Sequence, residues 1–118
     1  MSKTHSSLES FRYAFSGLKA ALRNEPNIRI HLGIALLAIV AAYFLRFTST
    51  EWIILAFTIA FVLILELINT TLESLVNLVS PERRDEARFA KNVSAATVLV
   101  SAFLSVVVAA FLFLPKIL

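Results

Sequence analysis

The 118-residue chain is 58% hydrophobic with a mean hydropathy of +0.81, and this composition excludes an ordinary soluble domain of the same length. Its formal net charge is +3 at pH 7, and the absence of cysteine excludes disulfide bonds and thiolate chemistry. A chain this short forms one domain at most, so we predict a single membrane domain over residues 1–118.

The first predicted element is an amphipathic helix over residues 8–24. Its apolar residues recur at i, i+4, i+7 and i+11 from Phe11, and its basic residues lie largely on the opposite face. A basic amphipathic helix beside a membrane span is typical of a helix that lies in the interface plane, and a soluble helix packed on the bundle is the alternative. Glu25 should end it, because the residue before Pro26 disfavours the helical region.

Three apolar stretches follow, and we predict transmembrane helices over residues 29–46, 52–79 and 92–114. Crossing a bilayer takes about 20 helical residues. The third stretch meets that length alone, and the second meets it when the polar segment after Leu65 continues its helix. The predicted fold class is therefore an all-α integral membrane protein, with an N-terminal surface helix followed by three transmembrane helices.

The positive charges are distributed unevenly about the predicted spans. Nine lie before the first span or between the second and the third, whereas only Arg46 and Lys116 fall on the other side. Because lysine and arginine favour cytoplasmic loops, the N-terminus and the second loop are predicted to be cytoplasmic and the C-terminus to lie outside.

Smaller polar features of the spans have structural interpretations. Ser49 or Thr50 is predicted to cap the second span. His31, at the start of the first span, is interpreted as an interfacial anchor rather than as a ligand. Small hydroxyl residues on one face of the third span predict a seam where helices approach closely: Ser94, Thr97, Ser101 and Ser105.

A narrow stripe of polar side chains lies where the second span should still be in the bilayer. At about 100° per residue, Glu66, Asn69, Glu73 and Asn77 fall within an arc of roughly 80° on one helix face. A helix–helix seam of amides and hydroxyls is the alternative interpretation. Inserting a charged residue costs roughly 2.5–3.5 kcal/mol, so the two carboxylates favour a functional stripe.

The residue types in this stripe favour a metal bound by oxygen ligands. Mg²⁺ takes one or two carboxylates and completes its coordination with waters and phosphates. Glu25 and Glu73 could share such an ion, and Lys91 lies at the same membrane level. Carboxylates for a metal, a lysine for phosphate and a deeper carboxylate as base suffice for phosphoryl transfer. The only glycines are Gly17 and Gly33, which excludes a glycine-rich phosphate loop.

The segment ELINTTLESLVN, residues 66–77, resembles the signature E-x-x-N-[ST]-x-[LIV]-E-x-x-[LIV]-D of the small prokaryotic diacylglycerol kinase family, which includes undecaprenol kinases. The segment SFRYAFSGLKAALRNEPNIRIHL is similar to that family's N-terminal segment, and SPE followed by AK is similar to its cytoplasmic loop. The resemblance implies a trimer in the bacterial cell (inner) membrane with active sites between protomers. It also implies transfer of the γ-phosphate of ATP, with Mg²⁺, to diacylglycerol or undecaprenol in phospholipid or cell-envelope lipid metabolism.

Carried over position by position, the resemblance implies a role for each matching residue. Glu66 corresponds to the catalytic base, and Glu25 and Glu73 correspond to the metal ligands. Asn69 corresponds to the asparagine that orders the site, and Arg29 aligns with a polar position near the lipid headgroup. The positions implied to contact the nucleotide are Tyr13, Glu25, Glu73, Glu82, Lys91 and Asn92.

Two positions depart from the family's pattern. Asn77 and Asn92 stand where the family usually has aspartate, and each change removes a negative charge beside the implied nucleotide site. They leave open a catalytically impaired member that acts as a lipid-binding or assembly protein. A small oligomeric cation channel is the third hypothesis, but residues 52–65 carry no charge to line a path through the bilayer.

Overall fold

The computed structural model describes residues 6–82 and 84–118, and its elements over those ranges are all α-helices. The predicted all-α class is therefore confirmed for the described residues. Lys3 and Arg83, two of the positive charges counted above, lie outside them. The helices in chain order are α1 (Ser7–Asn24), α2 (Pro26–Phe44), α3 (Ser49–Val79) and α4 (Asp85–Ile117).

The break between α1 and α2 occurs where the sequence predicts it. Glu25 adopts an extended backbone (φ −114°, ψ 105°), and Pro26 is the first residue of α2. Proline fits the first helical position because its missing N–H would have no partner there. At the other end of α1, the hydroxyl oxygen of Ser6 accepts a 3.2 Å hydrogen bond from the backbone N–H of Glu9.

The helices α2, α3 and α4 are each long and apolar enough to cross a membrane. α4 begins at Asp85 rather than at the predicted Asn92, so the charged residues of the connection form its first turns. Asp85 and Glu86 favour that earlier start, because carboxylates stabilise a helix N-terminus through its dipole. α2 likewise begins before its predicted start, at Pro26.

The turn between α2 and α3 is closed by a capping box. Thr48 caps α3, so the prediction that Ser49 or Thr50 does so is wrong. The hydroxyl oxygen of Thr48 accepts from the backbone N–H of Glu51 at 3.2 Å, and the Glu51 carboxylate accepts from the backbone N–H of Thr48 at 2.8 Å. The same carboxylate oxygen lies 2.9 Å from Nζ of Lys116, which ties the end of α4 to the start of α3.

A small apolar core lies at this end of the bundle, beside the turn between α2 and α3. The ring of Phe47 packs against Trp52 and Phe113, with centroids 5.9 and 4.9 Å apart. α3 packs more extensively against α4 than against α2. Ser94 and Ser101 of α4 are both buried, in agreement with the predicted close approach of helices along that face. Nearer the connection between α3 and α4, the two helices are held together by polar side chains instead.

Candidate functional site

Glu66 points into the helix bundle from the middle of α3. The residue is 2% exposed, and its Oε1 accepts no hydrogen bond from the described residues. Nε2 of His31 lies 3.2 Å from this oxygen, but the two groups are not aligned for a hydrogen bond. A buried carboxylate is costly unless it is paired. Among the described residues, His31 is therefore the electrostatic partner of Glu66.

The sequence predicted His31 to be an interfacial anchor, whereas the structure places its side chain beside Glu66. Its side chain is 22% exposed and lies at hydrogen-bond distance from Glu66, and so it faces α3. The sequence could have identified His31 as a functional candidate by its ionisable side chain. Apart from Arg29 near its start and Tyr43 near its end, His31 is the one ionisable residue in the otherwise apolar α2.

A chain of hydrogen bonds continues the polar stripe one turn further along α3. The Asn69 amide nitrogen donates to Oε1 of Glu73 at 2.7 Å, and the Ser94 hydroxyl donates to the amide oxygen of Asn69 at 2.7 Å. Thr70 turns its hydroxyl to the carbonyl of Glu66 on its own helix, at 3.1 Å. Ser94 is 4% exposed, so this link between α3 and α4 is shielded from competing water.

A second polar region surrounds the connection between α3 and α4. It contains a cavity of about 310 Å³, which brings three of the predicted residues together: Asn77, Glu82 and Lys91. Arg84 and Arg88 also line this cavity but were not among the predicted site residues. Their side chains pair with acidic neighbours: Nε of Arg84 lies 2.9 Å from Glu82, and Nη2 of Arg88 lies 3.3 Å from Asp85. Three cations around one open cavity make it suited to an anion.

Two further predicted residues, Glu25 and Arg29, lie at the break between α1 and α2. The Glu25 carboxylate makes no capping hydrogen bond, and the residue is half-buried. Nη1 of Arg29 donates to the carbonyl oxygens of Leu22 and Arg23, at 2.9 and 2.8 Å. Arg29 therefore satisfies the last carbonyls of α1 and holds α1 at a fixed angle to the start of α2. Arg29, which the resemblance aligns with a position near the lipid headgroup, thus has a structural role in this chain.

The remaining predicted residues lie at the surface. Tyr13 is 54% exposed on α1, and Asn92 is exposed on α4. Neither lines the cavity at the α3–α4 connection. The structure of one chain thus separates the predicted site into the buried stripe, the connection cavity, the α1–α2 break and these surface positions.

The donor set fits a metal that also binds phosphate. Within residues 6–82 and 84–118, no three acidic, histidine or cysteine side chains come together. A site built wholly from protein ligands is therefore absent from that part of the chain. Mg²⁺ needs only one or two carboxylates when phosphates and waters complete its coordination. Glu73, oriented by Asn69, and Glu25, with no capping bond, have the chemistry for this.

Comparison with known proteins identifies the family. The profile of the prokaryotic diacylglycerol kinase family matches residues 12–113. The chain is 40% identical over 112 residues to a diacylglycerol kinase of Synechocystis sp., covering 94% of this chain but only 64% of that protein's length. It is 31% identical to the undecaprenol kinase of Bacillus subtilis, covering 92% of this chain and 88% of the relative. It is 30% identical to the diacylglycerol kinase of Escherichia coli strain K12, covering 80% and 78%. These matches and the three apolar helices identify a multi-pass membrane protein.

Proposed function

The chain belongs to the prokaryotic diacylglycerol kinase family, a family of membrane lipid kinases, and from that membership we propose its reaction. The protein transfers the γ-phosphate of ATP to the hydroxyl of a lipid alcohol in phospholipid or cell-envelope lipid metabolism. The acceptor is diacylglycerol or undecaprenol, the two lipids that occur in the names of its relatives. One observation carries the proposal: Glu66 is a carboxylate 2% exposed within a membrane-spanning helix, where such a group is costly without a use.

Glu66 is the general base of the proposed reaction. Its carboxylate accepts the proton of the lipid hydroxyl as the hydroxyl oxygen forms a bond to the γ-phosphorus. The bond between that phosphorus and the bridging oxygen of ADP breaks, and ADP leaves. A base at the depth of Glu66 suits a substrate whose hydroxyl lies at the interface while its hydrocarbon remains in the membrane.

The nucleotide lies at the cytoplasmic ends of the same helices. Glu25 and Glu73 would hold Mg²⁺, which when bound neutralises charge on the phosphates. Lys91 contacts the phosphates as a point charge from the wall of the connection cavity. Asn69 holds Glu73, and Arg29 fixes α1 beside the start of α2. The remaining residues proposed to contact the nucleotide or to support the site are Tyr13, Asn77, Glu82 and Asn92.

The proposed assembly is a homotrimer in the bacterial cell membrane, with active sites between protomers. One structural feature supports it. Large apolar side chains are exposed along α2, α3 and α4. The bias of positive charges supports a cytoplasmic N-terminus and a C-terminus outside.

The decisive experiment offers each acceptor to the purified protein. The protein in mixed micelles receives labelled ATP and Mg²⁺ with diacylglycerol, with undecaprenol or with no added lipid, and labelled lipid is measured. Transfer to either acceptor above the lipid-free control supports the kinase. No transfer to either, under conditions where an active relative works, would overturn it in favour of the lipid-binding or assembly protein. The uncharged run from residue 52 to residue 65 gives the channel hypothesis no support.

A further inference from the structure

His31 of α2 and Glu66 of α3 form an ionisable pair inside the bundle. Nε2 of the imidazole and Oε1 of the carboxylate are 3.2 Å apart, and the Glu66 side chain is 3% exposed. Oε1 has no hydrogen-bond partner among the described residues. An imidazole N–H is a donor of the kind that this acceptor lacks.

We propose that His31 is a positioning residue for Glu66, an inference that rests on the proposed kinase function. The Nε2–H group holds Oε1 and leaves the other carboxylate oxygen to accept the proton of the lipid hydroxyl. His31 forms and breaks no covalent bond: the proton passes from the lipid oxygen to Glu66. Before substrate binds, we expect the imidazole and the carboxylate to lie within hydrogen-bond distance without being aligned, because catalytic hydrogen bonds often align only in the complex.

The other ionisable groups around the pair are engaged or distant. Of the other ionisable residues of α2, Arg29 donates to carbonyls of α1, and Tyr43 lies at the far end of the helix. Glu73, further along α3, accepts from an amide on its own helix. Residues 92–115 of α4 include no ionisable side chain. Within the described residues, His31 is therefore the group whose charge or N–H can act on Glu66.

The surroundings of His31 also favour a specific contact with Glu66. The imidazole lines an apolar cavity of about 150 Å³ between α2, α3 and α4. The hydroxyls of Thr58 and Ser105 in its wall donate to carbonyls of their own helices, both at 2.7 Å. They are therefore not free to replace His31 as donors. An apolar cavity of roughly this size accepts a ring as large as benzene, so it has room for a free imidazole.

Kinetics of His31 variants test the proposal. His31→Ala should lower kcat about tenfold or more and leave KM for ATP unchanged. The loss is smaller than the roughly 10²–10⁴-fold contribution of a general base, because Glu66 itself is still present. Added imidazole should restore much of the rate. Ile34→Ala is the matched control, because it enlarges the same cavity without removing a donor, and imidazole should not raise its rate. His31→Gln, which keeps an N–H donor, should retain more activity than His31→Leu.

A double variant tests whether His31 acts through Glu66. In the Glu66→Gln background, His31→Ala should cause little further loss of transfer, because residues that act as a unit are not additive. Equal fold losses in both backgrounds, or His31→Ala with the wild-type kcat, would overturn the proposal.

A spectroscopic measurement keeps this test independent of turnover. The chain has two histidines, so His5→Asn leaves His31 as the only imidazole to label with ¹⁵N. Glu66→Gln should then change the Nε2 chemical shift, and an unchanged shift would overturn the pair. An inactive wild-type protein would instead overturn the proposed kinase function, so the two failures are distinguishable.

Discussion

The Ser94 hydroxyl of α4 donates a 2.7 Å hydrogen bond to the side-chain oxygen of Asn69 on α3. The nitrogen of the same amide donates to Glu73, also at 2.7 Å. An amide can accept only through oxygen and donate only through nitrogen, so the two bonds together fix its orientation. The carboxylate proposed to bind Mg²⁺ is thus positioned by a residue of the neighbouring helix.

Ser94→Ala should weaken metal binding without touching a proposed ligand. Loss of the hydroxyl frees Asn69, which then orients Glu73 less well. Outer-shell partners of metal ligands are worth about 10–100-fold in metal affinity, so we expect a rise of about tenfold in the Mg²⁺ concentration for half-maximal activity. Ser101→Ala is the matched control, because Ser101 is equally buried in α4 but donates to the carbonyl of Val98 on its own helix. Equal metal dependence in the two variants would contradict the prediction.

Glu66→Gln should lower transfer about 100-fold or more while binding of ATP with Mg²⁺ survives. Glutamine keeps the size of the side chain but cannot accept the hydroxyl proton, and general bases contribute about 10²–10⁴-fold. Turnover and nucleotide affinity are measured on the same preparation. Glu86→Gln, at an exposed carboxylate in the first turn of α4, controls for loss of charge. If Glu66→Gln retains more than about a tenth of the wild-type rate, Glu66 is not the general base.

Glu25→Gln and Glu73→Gln should each raise the Mg²⁺ requirement, because each removes one carboxylate oxygen from the proposed coordination. Rates are measured across a Mg²⁺ titration at saturating ATP. We expect the wild-type maximum to be approached at high Mg²⁺ in both variants. If neither titration curve moves, the metal lies elsewhere.

Glu51→Gln should lower stability at the end of the bundle that contains the α2–α3 turn and leave the site unaffected. It weakens the capping box with Thr48 and the 2.9 Å ion pair with Lys116. Glutamine can still accept the backbone N–H of Thr48, so the main losses are the ion pair with Lys116 and the charge that strengthens the capping bond. Thermal unfolding in detergent should therefore shift to lower temperature while KM for ATP is unchanged. An unaltered unfolding temperature would show that the charge of Glu51 contributes little to stability.

Helical periodicity predicted the stripe because its members are neighbours on one helix. Glu66, Asn69 and Glu73 share a face whatever α3 packs against, and the structure turns that face inward. The partners of the stripe could not be predicted in the same way. His31 and Ser94 meet it only through the rotations of α2 and α4 about their own axes, which no period within one helix determines.

The boundaries of the helices show a second limit of the sequence. The predicted start of α4 followed the apolar stretch, but hydrogen bonding and the helix dipole extend α4 back to Asp85 through polar residues. The N-cap of α3 lies one or two positions before the predicted candidates. Thr48 forms the capping box with Glu51, whereas Ser49 and Thr50 belong to the first turn itself. Candidate caps that are adjacent in sequence differ mainly in backbone conformation, which composition does not reveal.

The last prediction concerns Asn77 and Asn92, where the family usually has aspartate. Asn77 lines the cavity at the α3–α4 connection together with Lys91, whereas Asn92 is exposed and does not line it. A negative charge at residue 77 would attract the Lys91 ammonium and compete with phosphate for it. Asn77→Asp should therefore raise KM for ATP a few-fold, and Asn92→Asp should change it less.

The same two substitutions distinguish an active kinase from an impaired one. We expect a competent wild-type enzyme, because costly membrane-inserted groups such as Glu66 and Glu73 are retained together with Lys91. Neither substitution should then raise kcat markedly, alone or combined. The measurement is the rate of lipid phosphorylation by wild type, both single variants and the double variant, side by side. If wild type shows no transfer and the aspartates restore it, the native chain is not an active kinase, and its retained carboxylates would belong to a lipid-binding or assembly protein.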